Sequence, residues 1–404
     1  MNVLCTQIGS RQRYRIPASL HRSGTLAALL TDFWVPLGST FQRLGGYLGK
    51  GVVRRASERF SADIPNYKVR VLFGAAWRAV LATSGKSLGA EDSAKAAAYF
   101  GKACVRWCKL LEHDTVFAFA GSSLEVINYE KHIGNAVIVD QVDTGKELED
   151  TIAEEVHRFD HRCDTYYQLP TWYYERLREE WNLADRILVN SAWTKRCLAN
   201  YGVGADKIDI VPLWVPALTI RPRVKELNRA PLKVLWVGRL CLGKGLVYAL
   251  EAARLLENAP IEFTFVGRPA IELSQLSWPS NCTVVSHLPA SEMHVLYNSH
   301  HVLLFPTLSD GFGIVQLEAI SHGLILIATE RCGQVAEEGR SGFVVPIRDG
   351  RAIAERLSCL ISQPAMVGEM SCFALDRALQ FTEAQVFPHV VECFESARRQ
   401  LAVS

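Results

Sequence analysis

Short apolar runs separated by amphipathic stretches set the rhythm of this chain. MNVLCTQI at the start, then DTVFAFA (114–120), AVIVDQV (136–142), RILVNS (186–191) and IDIVPL (208–213) are almost continuous in apolar side chains. Between them, residues 122–132, 171–183 and 192–201 carry apolar positions at helical spacing. Strands without polar alternation are buried on both faces, and intervening helices supply the cover. The pattern therefore predicts a parallel sheet in a doubly wound α/β domain. Residues 35–100 give no clear alternation. VPALTIRPRVKELNRAPLK (215–233) interrupts the rhythm with three prolines and several charges, as a linker does. The rhythm then resumes with KVLWVG (233–238), IEFTFVG (261–267), TVVSHL (283–288), HVLLFP (301–306), LILIAT (324–329) and GFVVPI (342–347). A last helical pattern, 387–401, lies beyond the final strand and is placed to fold back across the linker. The expectation is two Rossmann-like domains facing across a cleft. The first spans 1–214, a linker 215–232, the second 233–385, and a helix in 386–404 returns to the first domain. Ligands in such sheets sit at the carboxyl ends of the strands.

Length and composition agree with this picture. A chain of 404 residues suits two domains, and 49% hydrophobic with 21% charged residues suits a globular protein. No run of about 18 apolar residues is present to span a bilayer. MNVLCTQIGSRQRYR reads as a buried strand followed by a basic loop rather than an export signal, which points to the cytoplasm. The eleven cysteines then read as reduced thiols. Cys104 and Cys108 share a helix face, but no second pair stands at zinc-site spacing, so no metal is expected. Residues 1–110 hold 17 Lys/Arg against five Asp/Glu, a balance of +12, so the remainder of this +2 chain sums to −10. That asymmetry suits an anionic membrane surface or a phosphorylated acceptor for the first half. The stretch 40–60, TFQRLGGYLGKGVVRRASERF, mixes apolar and basic residues as an interfacial helix does, though glycines weaken it. The basic residues are not interleaved with a nucleic-acid module, so no nucleic acid is expected.

The candidate chemistry lies in the second half. VLWVGRLCLGKGLVYAL (234–250) reads as strand, loop and helix, and its loop matches G-x-x-x-x-G-K through Gly238, Gly243 and Lys244. A triphosphate loop continues with Ser or Thr, and here Gly245 follows. The next strands end in Gly267-Arg268 and Pro306-Thr307 rather than in Asp, which excludes a triphosphate hydrolase. A lysine before a helix N-terminus is favourable once an anion sits between the two, and Arg239 is placed to reach the same anion. FPTLSDGFGIVQLEAISHG (305–323) sets Asp310 before Gly311 and Gly313, and then opens a mostly apolar helix in which Glu318 is the exception. A carboxylate there calls for donors, which sugar or ribose hydroxyls supply.

Arg239 and Lys244, then an acidic residue, seven intervening residues and Glu318, resemble glycosyltransferase family 4, retaining sugar-transfer enzymes of the GT-B fold. ADRILVNSAWTKRCLANYGVGADKIDIVPL (184–213) and GLILIATERCGQVAEEGRSGFVVPIRDG (323–350) extend the resemblance over almost the whole chain. It implies a retaining, metal-independent transfer from a nucleotide-diphosphate-sugar, the donor substrate, with no further cofactor. The acceptor would be a saccharide or a lipid-linked hydroxyl in surface polysaccharide assembly, on the inner face of the cytoplasmic membrane. By the resemblance, Arg239 and Lys244, following Gly238, neutralise the leaving diphosphate and Glu318 holds the ribose. Asp310 and the N–H groups of Gly311, Phe312, Gly313 and Ile314 hold the donor sugar, and the base lies against Ser286, His287 and Leu288. No Asp-x-Asp occurs, in agreement with cationic side chains doing a metal's work.

Two departures stand out. The acidic motif begins with Asp310 where the family usually has Glu. DTVFAFAGSSLE also lacks the family's His after a first-domain strand, leaving Ser122, Ser123 or a backbone carbonyl at that position. On the acceptor side, the family's glycine-rich loop is IGSRQRYRIP, with Gly9 alone and Arg11, Arg13 and Arg15 placed to meet a phosphate. Rival readings are a nucleotide-sugar-binding protein without turnover and an epimerase acting on the nucleotide-sugar itself.

Overall fold

The computed structural model describes residues 1–36, 39, 59–72, 89–159, 168–220, 223–228, 231–285, 288 and 290–403. The first sheet has strands β1 (Val3–Gln7), β2 (Leu26–Thr31), β3 (Val69–Val71), β4 (Thr115–Phe119), β5 (Ala136–Gln141), β6 (Arg186–Val189) and β7 (Ile208–Ile210), in the order 3-2-1-4-5-6-7. The second has β8 (Leu232–Val237), β9 (Ile261–Val266), β10 (Cys282–Val285), β11 (Val302–Phe305), β12 (Ile325–Thr329) and β13 (Gly342–Val345), in the order 10-9-8-11-12-13. Every pairing is parallel. Each order reverses once, between β1 and β4 and between β8 and β11, and crevices open at such switch points. β1, β4, β5, β11 and β12 are buried along their whole length, as near-continuous apolar strands must be.

Several elements go beyond the sequence pattern. β2 follows the helix Arg15–Arg22 through Gly24, which is left-handed at φ +75°. β3 is a three-residue edge strand, and the helix Ala90–Cys108 occupies the end of the stretch that gave no alternation. The helix Lys146–Arg158 buries only Thr151 and Glu155, because it docks on the other domain rather than on its own core. Glu155 Oε2 accepts from Tyr248 Oη at 2.6 Å, and Arg348 bonds both Glu155 and Glu154.

The helix Glu383–Val403 packs on β5 and β6 of the first sheet. Val386, Val390, Cys393, Phe394 and Ala397 join the first domain's core, with the Phe394 ring 5.3 Å from that of Phe117. The interfacial stretch read from 40–60 lies almost wholly outside the described residues. Among the described residues, no helix is long and apolar enough to cross a membrane, and no His/Cys/Asp/Glu cluster suits a metal. Cys104 and Cys108 are buried free thiols.

Candidate active site

Loops from both switch points line one interdomain cleft of about 670 Å³. The loop after β8 turns through the short 3-10 segment Leu242–Lys244 into the helix Leu246–Leu255. Gly245 joins them at φ +68°, and a Cβ there would lie 1.9 Å from the Pro306 carbonyl oxygen. Backbone geometry and crowding both demand glycine at this position, which accounts for the missing hydroxyl residue. Gly243 likewise leaves room for Ile152 of the first domain.

Lys244 pairs with Asp310, and its ammonium lies 5.7 Å from the centroid of the Phe305 ring. Burial works to lower the Lys244 pKa, but the Asp310 charge and hydrogen bond more than offset it, and the ammonium is held charged above its ordinary range. Asp310 Oδ1 accepts from the Phe312 N–H at 3.2 Å. The anion beside Lys244 in this structure is therefore the side chain that opens the acidic motif, Asp310. Gly313, at φ +82°, leaves room for the Phe305 ring, and the chain then enters the six-residue helix Val315–Ile320. Glu318 is half-buried, and its Oε2 accepts from Tyr297 Oη at 2.8 Å.

From the first domain, Arg11, Arg13 and Arg15 reach the same cleft as Lys244, Asp310 and Glu318. Gln12, Arg13 and Tyr14 take left-handed φ of 51°, 51° and 59°, a strained run for residues with side chains. It is held by Tyr14, fully buried, whose ring lies 5.3 Å from Trp34 and whose hydroxyl bonds at 3.3 Å with Thr31 Oγ1 and the Phe33 carbonyl. Arg15 donates to the Trp214 carbonyl. Burial lowers its pKa, Arg13 adds to that, and Glu318 across the cleft opposes it.

Gly238, Phe312, Gly313 and Ile314 line the cleft with these residues. Arg239 does not line it; it borders an adjoining cavity with Arg11. Gly311 packs between domains, since a Cβ there would meet the Val142 carbonyl at 1.9 Å, and its own carbonyl accepts from Thr194. Gly9 turns at φ +77° and donates its N–H to Asp32 at 2.8 Å, away from the cleft lining. Ser122 is buried, and its hydroxyl donates to the Phe119 carbonyl. Glu180 holds that loop by accepting from the N–H groups of Gly121 and Ser123, at 2.6 and 2.9 Å. Leu288 packs against the second domain's core, while Ser286 and His287 lie outside the described residues.

Three residues went unread in the sequence: Tyr297, Asp140 and Asp143. Asp140, near the carboxyl end of β5, is 5% exposed, and its Oδ1 has no hydrogen-bond partner among the described residues. Burial pushes its pKa up to about 7, Arg11 opposing and Asp143 assisting. AVIVDQVD contains both carboxylates at a strand end, which is the signal that was available.

Two facing doubly wound domains with a charged cleft between their switch points make up the GT-B fold. Residues 231–363 match the family described as "Glycosyl transferases group 1". The putative colanic acid biosynthesis glycosyltransferase WcaL of Escherichia coli K12 is 27% identical over 188 residues, 42% of this chain and 46% of that protein. The D-inositol 3-phosphate glycosyltransferase of an Arthrobacter strain is 28% identical over 237 residues, 53% of this chain and 56% of that one. The chain thus spans about half the length of the curated relatives it matches. The fold is similar over the whole chain to sucrose-phosphate synthase from Thermosynechococcus elongatus (TM-score 0.70, 15% identity, 100% of each chain). Anabaena HepE, solved in complex with UDP, aligns with a TM-score of 0.65 at 13% identity, over 98% of this chain and 100% of that one.

Proposed function

We propose that this protein is a retaining glycosyltransferase that moves a sugar from a nucleotide-diphosphate-sugar to a hydroxyl of a saccharide or lipid-linked acceptor. The observation that carries the reading is the convergence of Lys244, Glu318 and the Arg11–Arg15 loop on one interdomain cleft. In the transfer, the bond from sugar C1 to the β-phosphate oxygen breaks and a bond from the acceptor oxygen to C1 forms on the same face. The hydroxyl proton passes to the leaving diphosphate. Negative charge grows on that diphosphate as the bond breaks, and Lys244, with Arg239 beside the cleft, stabilises it. Glu318 offers Oε1 to ribose hydroxyls while Tyr297 occupies Oε2. Asp310 holds the donor sugar once a phosphate replaces it at Lys244. Because fixed cations supply the charge that a divalent metal supplies elsewhere, transfer is expected to continue in a chelator.

Relatives named for colanic acid and amylovoran biosynthesis support a place in surface polysaccharide assembly. The basic first 110 residues support working at the inner face of the cytoplasmic membrane, which co-sedimentation with anionic but not neutral vesicles checks. The HepE complexes with UDP and UDP-glucose make a uridine nucleotide the first candidate. Calorimetric titration with UDP, GDP and ADP tests the reading. One of them is expected to bind, and Glu318→Ala to lose about 1.5–3 kcal/mol, the worth of hydrogen bonds to a charged group. Folded protein that binds none at millimolar concentration would overturn it.

A further inference from the structure

Asp310 belongs to the second domain, yet both of its chain neighbours are bonded to the first. Ser309 Oγ accepts from Trp193 Nε1 at 3.1 Å and shares a hydrogen bond of 3.0 Å with Thr144 Oγ1. The Gly311 carbonyl accepts from Thr194 Oγ1 at 3.3 Å. A third tie passes through Arg331. Its carbonyl accepts from the Asp310 N–H at 2.9 Å, while its guanidinium lies 4.8 Å from the centroid of the Trp193 ring and pairs with Glu147 at 3.3 Å. Trp193 and Thr194 stand in the first turn of the helix Ala192–Asn200, and Thr144 and Glu147 at the entry to the helix Lys146–Arg158.

These bonds are made away from water: Thr144, Thr194 and Ser309 are fully buried, and Trp193 is nearly so. Hydrogen bonds in such surroundings fix geometry strongly. None of the four side chains lines the cleft, so their effect on a ligand there passes through Asp310, which does. Aspartate has a single methylene, so its carboxylate goes where its backbone carries it. A longer acidic side chain could make up for a displaced loop; Asp310 cannot. Lys244 and Glu318 are carried by other segments, the loop after β8 and the helix Val315–Ile320.

We propose that Trp193 is a positioning residue for sugar transfer. With Thr144 it holds Ser309, and thereby sets the Asp310 carboxylate for the donor sugar only while the two domains are together. The inference rests on the reading of Asp310 as the group that holds that sugar. Calorimetry on the full chain compares UDP with UDP-glucose, UDP-galactose and UDP-N-acetylglucosamine, in Trp193→Phe and Ser309→Ala. Trp193→Phe keeps a ring beside Arg331 and removes only the N–H donor. In each variant the affinity for the sugar nucleotide that binds the wild type most tightly is expected to fall about tenfold, with UDP held within about twofold. The two substitutions together are expected to cost little more than one, since they break the same bond. Hydrogen exchange of the stretch 308–313, without nucleotide, is expected to quicken about fivefold or more in both variants, while the helix Leu246–Leu255 keeps its protection. Parallel loss of UDP and sugar-nucleotide affinity, retention of both, additive losses or unchanged exchange at 308–313 overturns the inference. Ser309→Ala decides alone should the Trp193 variant not fold. If the wild type binds no uridine nucleotide, the donor reading falls by itself, and the exchange result still judges whether Trp193 holds the loop.

Discussion

Lys244 and Asp310 satisfy each other in this structure, so a diphosphate arriving at Lys244 must compete with a carboxylate already there. Asp310→Asn removes the competitor and keeps the short side chain. Its nucleotide affinity is expected to equal or exceed that of the wild type while sugar transfer falls at least tenfold; a tenfold loss of nucleotide affinity in calorimetry would contradict this account. Lys244→Ala should instead weaken nucleotide binding and transfer together, by about a hundredfold if the charge acts on the leaving group. Asp140 gives a pH signature. Its folded pKa of about 7 lies above the usual carboxylate value, so its contribution is fully present below pH 4 and is lost as pH rises towards 7. Asp140→Asn is expected to match the wild type near pH 4 and to be more stable by about 1–3 kcal/mol at pH 8, with thermal unfolding across that range as the check. Equal unfolding temperatures at pH 8 would mean that the carboxylate is not held out of water.

Elements differ in how much of their origin is written locally. β4, β5, β11 and β12 are apolar runs buried on both faces, and any such run between helical patterns reads directly as a strand of a parallel sheet. β3 has three residues and alternates with charge, too little signal for a window to find. The helix Lys146–Arg158 was invisible for a different reason: its buried side chains are Thr151 and Glu155, and what covers them is the other domain. Lys244, Asp310 and Glu318 were legible because spacing along two loops carries them. The pairing of Lys244 with Asp310 and the hydroxyl of Tyr297 on Glu318 arise only when separate loops of the second sheet fold together, and the cavity that Arg239 borders forms only when the two domains meet. The docking of that helix is itself testable. Glu155 is fully buried against Arg348 and Tyr248, so Arg348→Ala removes its closer cation and leaves only Arg158, 3.9 Å away. Loss of one partner of a buried pair costs about 3–5 kcal/mol, and because the pair bridges domains the expected result is a more open particle in small-angle scattering as well as a lower unfolding temperature.

At the scale of the whole molecule, the chain visits the first domain, builds the second and returns. Phe394 and its neighbours on the helix Glu383–Val403 complete the core of a sheet whose strands end with β7, at Ile210. Phe394→Ala is expected to cost about 3–5 kcal/mol, as for other large buried side chains, and to expose the first domain to protease before the second. The order of synthesis follows from the same returning helix. On the ribosome, residues 1–214 emerge first yet wait for residues 383–403, so the second domain can close its core while the first is still open. Exchanging domains between this protein and a relative meets the same condition: a graft of the first domain has to bring the last helix with it, as one piece of inheritance written in two separate places along the chain.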